Sequence, residues 1–343
     1  SPGYEALVES WNRQRRMGLQ DPLRSASTLP LVPTINASWA WNPPTGEPDV
    51  SHYTSILPPD LQPIVCGNLT VDIDAESGAI TRVSGNGVDW KGSLAQLEYR
   101  TYSAEEYTAF MVQYNFLGPL FALDDVDDFD KIGIGRAGAK SQTVTPTVVA
   151  VHVQHGTSTS HILVEMRMPR DVVESAGASA KVWLNITVPW AGTTLDLELR
   201  LVNKTATRLP EATFLRFNPR HGDDTAPLNL SLSKLGSWVD PLDVVNGGAL
   251  HQHAVDDAGF RFSGHGTLRV APLDTAVVSV GRPTALPVPT HAAPDAAQGM
   301  AAVLHDNTWN TNYIMWYPFN DDERDVSSRY RVYLDGSAPS PMN

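Results

Sequence analysis

The chain has 343 residues, of which 42% are hydrophobic, and its formal net charge at pH 7 is −13. This length and this hydrophobic content predict a globular protein with either one large domain or two smaller ones. The acidic balance argues against nucleic acid and anionic membranes as partners, because both would require a basic patch. No apolar run reaches the roughly 20 residues of a membrane-spanning helix, so we expect no membrane partner.

Helical periodicity is confined to the start of the chain. Tyr4 to Met17 carries apolar residues at helical spacing between charged residues, and Gly18 follows as a stop signal. We therefore predict a short N-terminal helical segment over residues 1–26. Residues 27–62 are rich in Pro, Ser, Thr and Asn and predict an extended connector.

From residue 63 onward the hydrophobic period changes to two. Leu69 to Ile73 alternates, a turn follows over Asp74 to Gly78, and the alternation resumes from Ala79 to Val83, which predicts a β-hairpin. Further segments are alternating or β-branched: 148–154, 162–168, 182–188, 195–202, 212–217, 260–262, 267–271, 277–280, 301–305 and 331–334. Helical signal is nearly absent from this region. Residues 63–337 are thus predicted to form a mainly β domain, one large antiparallel β-sandwich.

Asparagine sequons in the sequence indicate the cellular compartment of the protein. Five sequons of the form Asn-x-Ser/Thr occur, at Asn36, Asn68, Asn185, Asn203 and Asn229. They predict a secreted, extracellular glycoprotein with glycans at these positions. The single cysteine, Cys66, cannot form an internal disulfide and lies in an apolar stretch, which predicts a buried small hydrophobic residue and not a nucleophile.

The segment from Asn307 to Phe319 concentrates amides and large aromatic residues without a single charge. Aromatic faces can cover the C–H side of a pyranose, while amides supply paired donors and acceptors to its hydroxyls. The alternative is a buried β-strand with a polar entry turn, and composition alone favours it. The residues that we assign to carbohydrate binding are Trp309, Asn310, Asn312, Trp316 and Tyr317.

A second polar group follows the strand predicted over residues 212–217. Arg216, Asn218 and His221 could present a guanidinium, an amide and an imidazole to a hydroxylated ligand, and we include them in the predicted sugar site. The alternative is an ordinary polar turn, because Asn-Pro and Gly favour turns.

Three other clusters do not complete a catalytic or metal site. His251 and His253 would share one face of a strand, but a catalytic zinc needs three protein ligands. The acidic run Asp124 to Asp130 has oxygen ligands for calcium but lacks EF-hand spacing. Asp240 and Asp243 flank a proline and are expected to form a turn, not a pair of catalytic carboxylates. We predict neither a catalytic residue nor a metal site in this chain.

Several ordered blocks carry a family resemblance. They are Thr207 to Phe214, Arg216 to Pro219, Lys234 to Gly236 and Val239 to Asp243. The opening segment of the chain, with the predicted helix, is a further block. Together they resemble the C-terminal half of a fungal and bacterial family known as domain of unknown function 5054. That family is itself similar to the family 38 glycoside hydrolases, the retaining α-mannosidases. The resemblance implies a β-sandwich of the supersandwich, galactose-mutarotase-like type, preceded by the end of a helical bundle.

In family 38 enzymes the zinc site and the carboxylate nucleophile lie in an N-terminal βα barrel, to which nothing in this sequence corresponds. The resemblance therefore implies the C-terminal β-sandwich portion of a secreted, α-mannosidase-like glycoside hydrolase. The partners would be carbohydrate and an N-terminal fragment of the same precursor, separated by proteolytic processing. Catalytic residues and zinc would lie on that fragment, and no cofactor is expected in this chain. The alternative is a non-catalytic carbohydrate-binding or structural extracellular glycoprotein.

Overall fold

A computed structural model describes most of the predicted β domain. The described residues are 44–114, 131, 133–222, 227–245, 248–286, 292–308 and 324–336. The predicted helical segment over residues 1–26, the acidic run Asp124 to Asp130 and the sugar-binding residues from Trp309 to Tyr317 lie outside them.

The described residues are dominated by β-strands. In chain order these are β1 (Thr54–Ile56), β2 (Ile64–Cys66), β3 (Leu69–Ile73), β4 (Ile80–Gly85), β5 (Val88–Thr101), β6 (Gln142–Val144), β7 (Thr147–His155), β8 (Thr159–Arg167), β9 (Lys181–Pro189), β10 (Thr194–Val202), β11 (Glu211–His221), β12 (Asn229–Lys234), β13 (Ser237–Val239), β14 (Gln252–Ala254), β15 (Phe260–Ser263), β16 (Thr267–Pro272), β17 (Val277–Val280), β18 (Met300–Asn307) and β19 (Val326–Asp335). The described residues also include two α-helices, α1 (Ala104–Tyr114) and α2 (Arg170–Ala176). Short 3-10 turns occur at Pro58–Asp60 and Ala296–Gln298.

Within the described part of the chain, the strands form two sheets. The first has the order β1-β7-β8-β9-β10-β19-β16-β15-β12-β13, and the second has the order β14-β17-β18-β11-β5-β4-β3-β2, with β6 paired to β5. Neighbouring strands are antiparallel, as in the pairing of β10 with β9 and with β19. Buried side chains from both sheets share one hydrophobic core. The predicted fold class, a mainly β antiparallel sandwich, is confirmed.

The alternation in β10 shows how the sequence builds this core. Leu195, Leu197, Leu199 and Leu201 point inward and are each at most 2% exposed, while the residues between them are only partly buried. Side chains of a strand alternate between its two faces, so a strand with one face toward the core requires this pattern.

The hairpin predicted between β3 and β4 is also confirmed. The Asp74 carboxylate accepts hydrogen bonds from the backbone N–H and the hydroxyl of Ser77. Gly78 has a φ of +72°, which side-chain-bearing residues rarely adopt, and a Cβ there would overlap Met166. The turn residues therefore stabilise the hairpin, and Gly78 allows it to pack against Met166 of the first sheet.

Helix α1 was not predicted from the hydrophobic period. Ser103 and Glu106 form a capping box at its start, in which the N–H of Glu106 donates to the Ser103 hydroxyl over 3.2 Å. Tyr107, Phe110 and Met111 are buried by the helix in a second apolar cluster. This cluster includes Phe214 and lies on the face of the second sheet that points away from the shared core.

The chain between residues 44 and 62 is not wholly irregular. Three residues of the predicted connector form β1, which pairs with β7 and is the edge strand of the first sheet. Just before it, Val50 and Tyr53 pack on Trp183, on the outer face of the first sheet. The connector therefore attaches to the β domain over part of its length.

Candidate functional site

A buried polar network lies where β5 and β18 end beside the start of β11. Its members, which we call the Glu211 network, are Tyr99, Lys131, Lys204, Glu211 and Asn307. Glu211 begins β11 and stands directly opposite Asn307, the last residue of β18. The other three come from β5, from the loop after β10, and from the chain that follows α1.

Glu211 is the centre of the network. Its Oε1 accepts a hydrogen bond from Lys204 Nζ over 2.6 Å, and its Oε2 accepts one from the Tyr99 hydroxyl over 2.5 Å. Asn307 Nδ2 lies 3.0 Å from the carbonyl of Thr207 and 3.4 Å from Glu211 Oε1. Both carboxylate oxygens are thus engaged inside the protein.

The two lysines complete the network. Lys204 Nζ also donates to the carbonyls of Gly177 and Thr205, over 2.7 and 3.0 Å. Lys131 Nζ donates to Asn307 Oδ1 over 2.7 Å. The Asn307 side chain therefore acts as a donor toward Thr207 and as an acceptor from Lys131.

Burial dominates the electrostatics here. Glu211 is 1% exposed, and burial raises the pKa of its carboxyl although the Lys204 charge opposes this. Burial lowers the pKa of Lys131 to about 8, against the attraction of Glu211. Burial and the charges of Lys204 and Lys131 lower the pKa of His305 to about 3, so its imidazole is neutral at pH 7.

The Glu211 network holds the chain on both sides of residues 309–323. Before these residues, Asn307 Nδ2 donates to the carbonyl of Thr207 over 3.0 Å, and the Tyr107 hydroxyl of α1 donates to the carbonyl of Thr308 over 2.5 Å. After them, the Lys204 N–H donates to the carbonyl of Arg324 over 2.9 Å, and the Asn203 N–H donates to the Asp325 carboxylate over the same distance. Residues that precede and follow positions 309–323 are therefore attached to one loop, 203–209. The polar groups of the Glu211 network are already hydrogen-bonded within the protein. The network is therefore suited to positioning the chain that it holds.

Asn307 is the one member of the network within the predicted Asn307–Phe319 segment, and its side chain points to the network. Arg216, Asn218 and His221 lie farther along β11. Because a strand rises about 3.3 Å per residue, His221 is roughly 30 Å along the strand from Glu211. His221 is therefore far from Asn307, which stands opposite Glu211, whereas Trp309, Asn310, Asn312, Trp316 and Tyr317 lie outside the described residues.

Arg216 on β11 contacts β5 and the 3-10 turn before β18. Its Nη1 donates to Glu98 Oε1 over 3.0 Å, and its Nε and Nη2 donate to the carbonyl of Gln298 over 3.3 and 3.1 Å. Asn218 is partly buried, and His221 packs edge to face on Trp90 with ring centroids 5.0 Å apart. Arg216 therefore has a structural role, and ligand binding by these three residues stays a prediction.

The weaker sequence clusters also have structural partners. His253 is buried, with Nδ1 3.2 Å from Lys234 Nζ and Nε2 3.2 Å from the carbonyl of Leu250. Asp240 accepts a hydrogen bond from the N–H of Leu242 and so caps a turn. Cys66 is fully buried, as predicted, and burial raises the pKa of its thiol. Among the residues that the structure describes, no group of three or more His, Cys, Asp or Glu could hold a metal ion.

The described sequons differ in accessibility. Asn68, Asn203 and Asn229 are exposed, whereas Asn185 is partly buried and its Oδ1 has no hydrogen-bond partner. Asn36 lies outside the described residues. In the part of the chain that can be described, no helix combines the length and the apolar character needed to cross a membrane.

Sequence reasoning missed four members of the network. Glu211 is a charged residue at the start of an apolar strand, and Lys204 lies within a sequon. From the sequence alone, both would be expected to be exposed to solvent. A charged residue at the start of a buried strand was the available signal, since such residues are rarely fully buried unless paired. Its partner could not be read from the sequence.

Comparisons with known proteins give one family match. A family model described as domain of unknown function 5054 matches residues 1–195. No curated protein matches the chain.

Solved structures with a similar fold include a family 38 glycosyl hydrolase protein from Enterococcus faecalis, which is 11% identical with a TM-score of 0.44. The match covers 80% of this chain but only 30% of that protein. The Slr1438 protein from Synechocystis is 9% identical, with a TM-score of 0.38 and coverage of 78% of this chain and 92% of that one. A galactose mutarotase-like protein from Clostridium acetobutylicum is also 9% identical, with a TM-score of 0.39 and coverage of 79% and 94%.

All three TM-scores lie below 0.5, and these likenesses carry no further conclusion. The family model, by contrast, matches more than half of the sequence. The chain belongs to the family known as domain of unknown function 5054.

Proposed function

We propose that this chain is the β-sandwich portion of a secreted, α-mannosidase-like protein. In this proposal it contributes the Asn307–Phe319 segment to a sugar site. The catalytic residues and zinc of that site belong to an N-terminal fragment of the same precursor. The observation that carries the proposal is that the Glu211 network holds the chain on both sides of residues 309–323: Asn307 is one of its members, and the carbonyl of Arg324 accepts a hydrogen bond from the N–H of Lys204.

The energetics of the network support a positioning role. Removing Lys204 and Glu211 from water costs several kcal/mol for each ion, and a well-packed apolar pair is often at least as stable. Such a network is therefore poorly explained by stability alone. It does place the Asn307 backbone and side chain in one geometry, as a rigid binding site requires.

The composition of the segment supports a sugar as the ligand. Asn307 is engaged inside the protein, so the ligand-binding amides would be Asn310 and Asn312. Trp309, Trp316 and Tyr317 supply the aromatic faces. Exposed sequons such as Asn68 and Asn229 support passage through the secretory route.

Native purification tests whether a partner fragment exists. The precursor is expressed in a secreting host, and this chain is captured through an affinity tag. Mass spectrometry should find a second polypeptide from the same precursor, and the captured complex should hydrolyse an aryl α-mannoside. Capture of this chain alone, with no hydrolysis, would contradict the proposal.

Substitutions test the segment itself. Trp309→Ala and Trp316→Ala should each lower kcat/KM of the complex roughly tenfold or more, the effect of losing one aromatic contact in a sugar site. Trp190→Ala is the matched control, because Trp190 is 37% exposed and lies in the turn after β9. Equal activity in all three variants would remove the segment from the sugar site. Glycan binding by the isolated chain, with no activity in the complex, would instead favour the non-catalytic alternative.

A further inference from the structure

Two arginines stand side by side on the outer face of the first sheet. Arg261 on β15 and Arg269 on β16 are directly opposite each other in register. Their strand neighbours Phe260, Phe262 and Leu268 are buried in the core, so the two arginines point away from it. Residues in this relation have Cβ atoms about 5 Å apart, and like charges there repel.

Each guanidinium lies over an aromatic ring. The Cζ atom of Arg261 is 4.3 Å from the ring centroid of Trp238, and that of Arg269 is 3.8 Å from the ring centroid of Tyr333. These contacts hold both planar groups in place without neutralising their charge.

Neither arginine forms an ion pair with a carboxylate among the described residues. Their neighbours on the same face are treated differently: Arg329 makes two contacts to Asp274, and Arg331 makes two to Asp196, all between 2.5 and 3.0 Å. Although the chain has a net charge of −13, the residues that the structure describes provide no acidic partner for these two adjacent cations.

Polar atoms beside the arginines also lack partners. Arg261 Nε is buried and has no hydrogen-bond partner within the described part of the chain, and the same holds for Ser263 Oγ, two residues along the same face. Buried polar atoms are normally paired, so an acceptor is missing here. The hydroxyl residue Ser231 stands directly opposite Arg261 on β12, and Thr194 stands opposite Tyr333 on β10.

We propose that Arg261 and Arg269 bind the oxyanion of an acidic saccharide. Two guanidinium groups can bind a carboxylate, sulfate or phosphate group, because each donates parallel N–H hydrogen bonds to its oxygen atoms. Ser231 and Thr194 place hydroxyl groups in the same cross-strand row, and Ser263 adds one two residues along β15, where a sugar would present its own hydroxyls. The rings of Trp238 and Tyr333 hold the two cations at a fixed spacing. This site is separate from the Glu211 network and does not depend on the function proposed above.

Calorimetric titration in low salt tests the site with four probes: glucuronate, glucose 6-sulfate, glucose 6-phosphate and neutral glucose. The protein carries Asn229→Gln, because Asn229 faces Ser263 and a glycan there would crowd the site. We expect at least one acidic probe to bind more tightly than glucose, and the tightest one identifies the oxyanion. Its affinity should fall as salt is added. Equal binding of all four probes, or no binding, would overturn the proposal.

Matched variants locate the binding. Arg261→Gln and Arg269→Gln should each weaken the acidic probe roughly tenfold or more, as expected for a lost charged hydrogen bond. Arg269→Lys keeps the charge but loses the planar fork, so its loss should be smaller. Arg331→Gln is the control, because Arg331 lies on the same face and is already paired with Asp196. Thermal melting verifies that each variant is folded, and an equal loss in the Arg331 control would overturn the assignment.

Discussion

At the scale of single residues, Lys131 shows how burial changes an ordinary amine. It is 6% exposed, and its ammonium donates to Asn307 Oδ1 over 2.7 Å. Burial lowers its pKa from 10.5 to about 8, and the attraction of Glu211 only partly offsets this. The charged form is therefore less stable in the folded protein than in the unfolded chain.

The stability of the protein should depend on pH through this residue. Between pH 8 and 10.5 the unfolded chain binds more protons at Lys131 than the folded protein does, so the free energy of unfolding rises with pH in this window. The destabilisation is fully present below pH 8 and is lost as the pH approaches 10.5. Between pH 8 and pH 10 we expect a gain of about 2 kcal/mol relative to Lys131→Met, which has no charge to lose. Urea denaturation of both proteins at several pH values measures this difference. Parallel pH profiles would contradict the expectation.

At the scale of elements, helix α1 links the outer face of the second sheet to the predicted sugar-binding segment. Tyr107 and Phe110 pack with ring centroids 6.4 Å apart in the cluster that contains Phe214. The Tyr107 hydroxyl also binds the carbonyl of Thr308. Loosening this helix should therefore release the start of the segment.

Phe110→Ala should destabilise α1 by about 3–5 kcal/mol, the usual cost of removing a buried phenyl ring. Because the second apolar cluster is separate from the shared core, the effect should be local. Hydrogen exchange should show faster exchange over residues 104–114 while β10 stays protected. Val112→Ala is the control, since Val112 is 64% exposed and its substitution should cost less than about 0.5 kcal/mol. Equal exchange in both variants would mean that Phe110 does not hold the helix.

The elements also show what the sequence could and could not predict. The β3–β4 hairpin and β10 follow from local signals, namely strict alternation and a turn with Asp and Gly. Helix α1 was missed because its apolar residues fall within one short stretch among strand signals, although Ser103 and Glu106 formed a readable capping box. β5 was missed because Gly92 weakens its strand signal, and the structure needs a glycine there with φ of +95°.

At the scale of the whole molecule, aromatic side chains join the two sheets. Phe217 of the second sheet packs on Phe260 and Tyr330 of the first, with ring centroids 5.6 and 6.3 Å apart. All three residues are fully buried. Such contacts couple the two layers into one core.

Phe217→Ala should lower the stability of the β domain by about 3–5 kcal/mol, because it leaves a cavity between the sheets. Thermal unfolding should show an earlier transition, with strands of both sheets exposed together in hydrogen exchange. Val277→Ala, a substitution at a 40% exposed position of β17, serves as the comparison. A loss confined to the second sheet would show that the two layers unfold separately.

The order of the strands was beyond the reach of the sequence. Alternation indicates which residues face the core but not which strand lies beside which, since that depends on contacts between distant residues. The pairing of β19 with both β10 and β16 is an example. The Glu211 network depends on the same kind of contact, because Asn307 and Lys131 are distant in sequence. The residue types of the predicted site could therefore be identified from the sequence, but their arrangement in space could not.

The position of β19 has a consequence for biosynthesis. This strand is synthesised after every other strand of the first sheet, yet it lies between β10 and β16 near the middle. Before β19 is added, β10 and β16 each lack a neighbouring strand on one side and present an open edge. Open edges of this kind can pair with other chains, so we expect the protein to be most prone to aggregation before β19 is added.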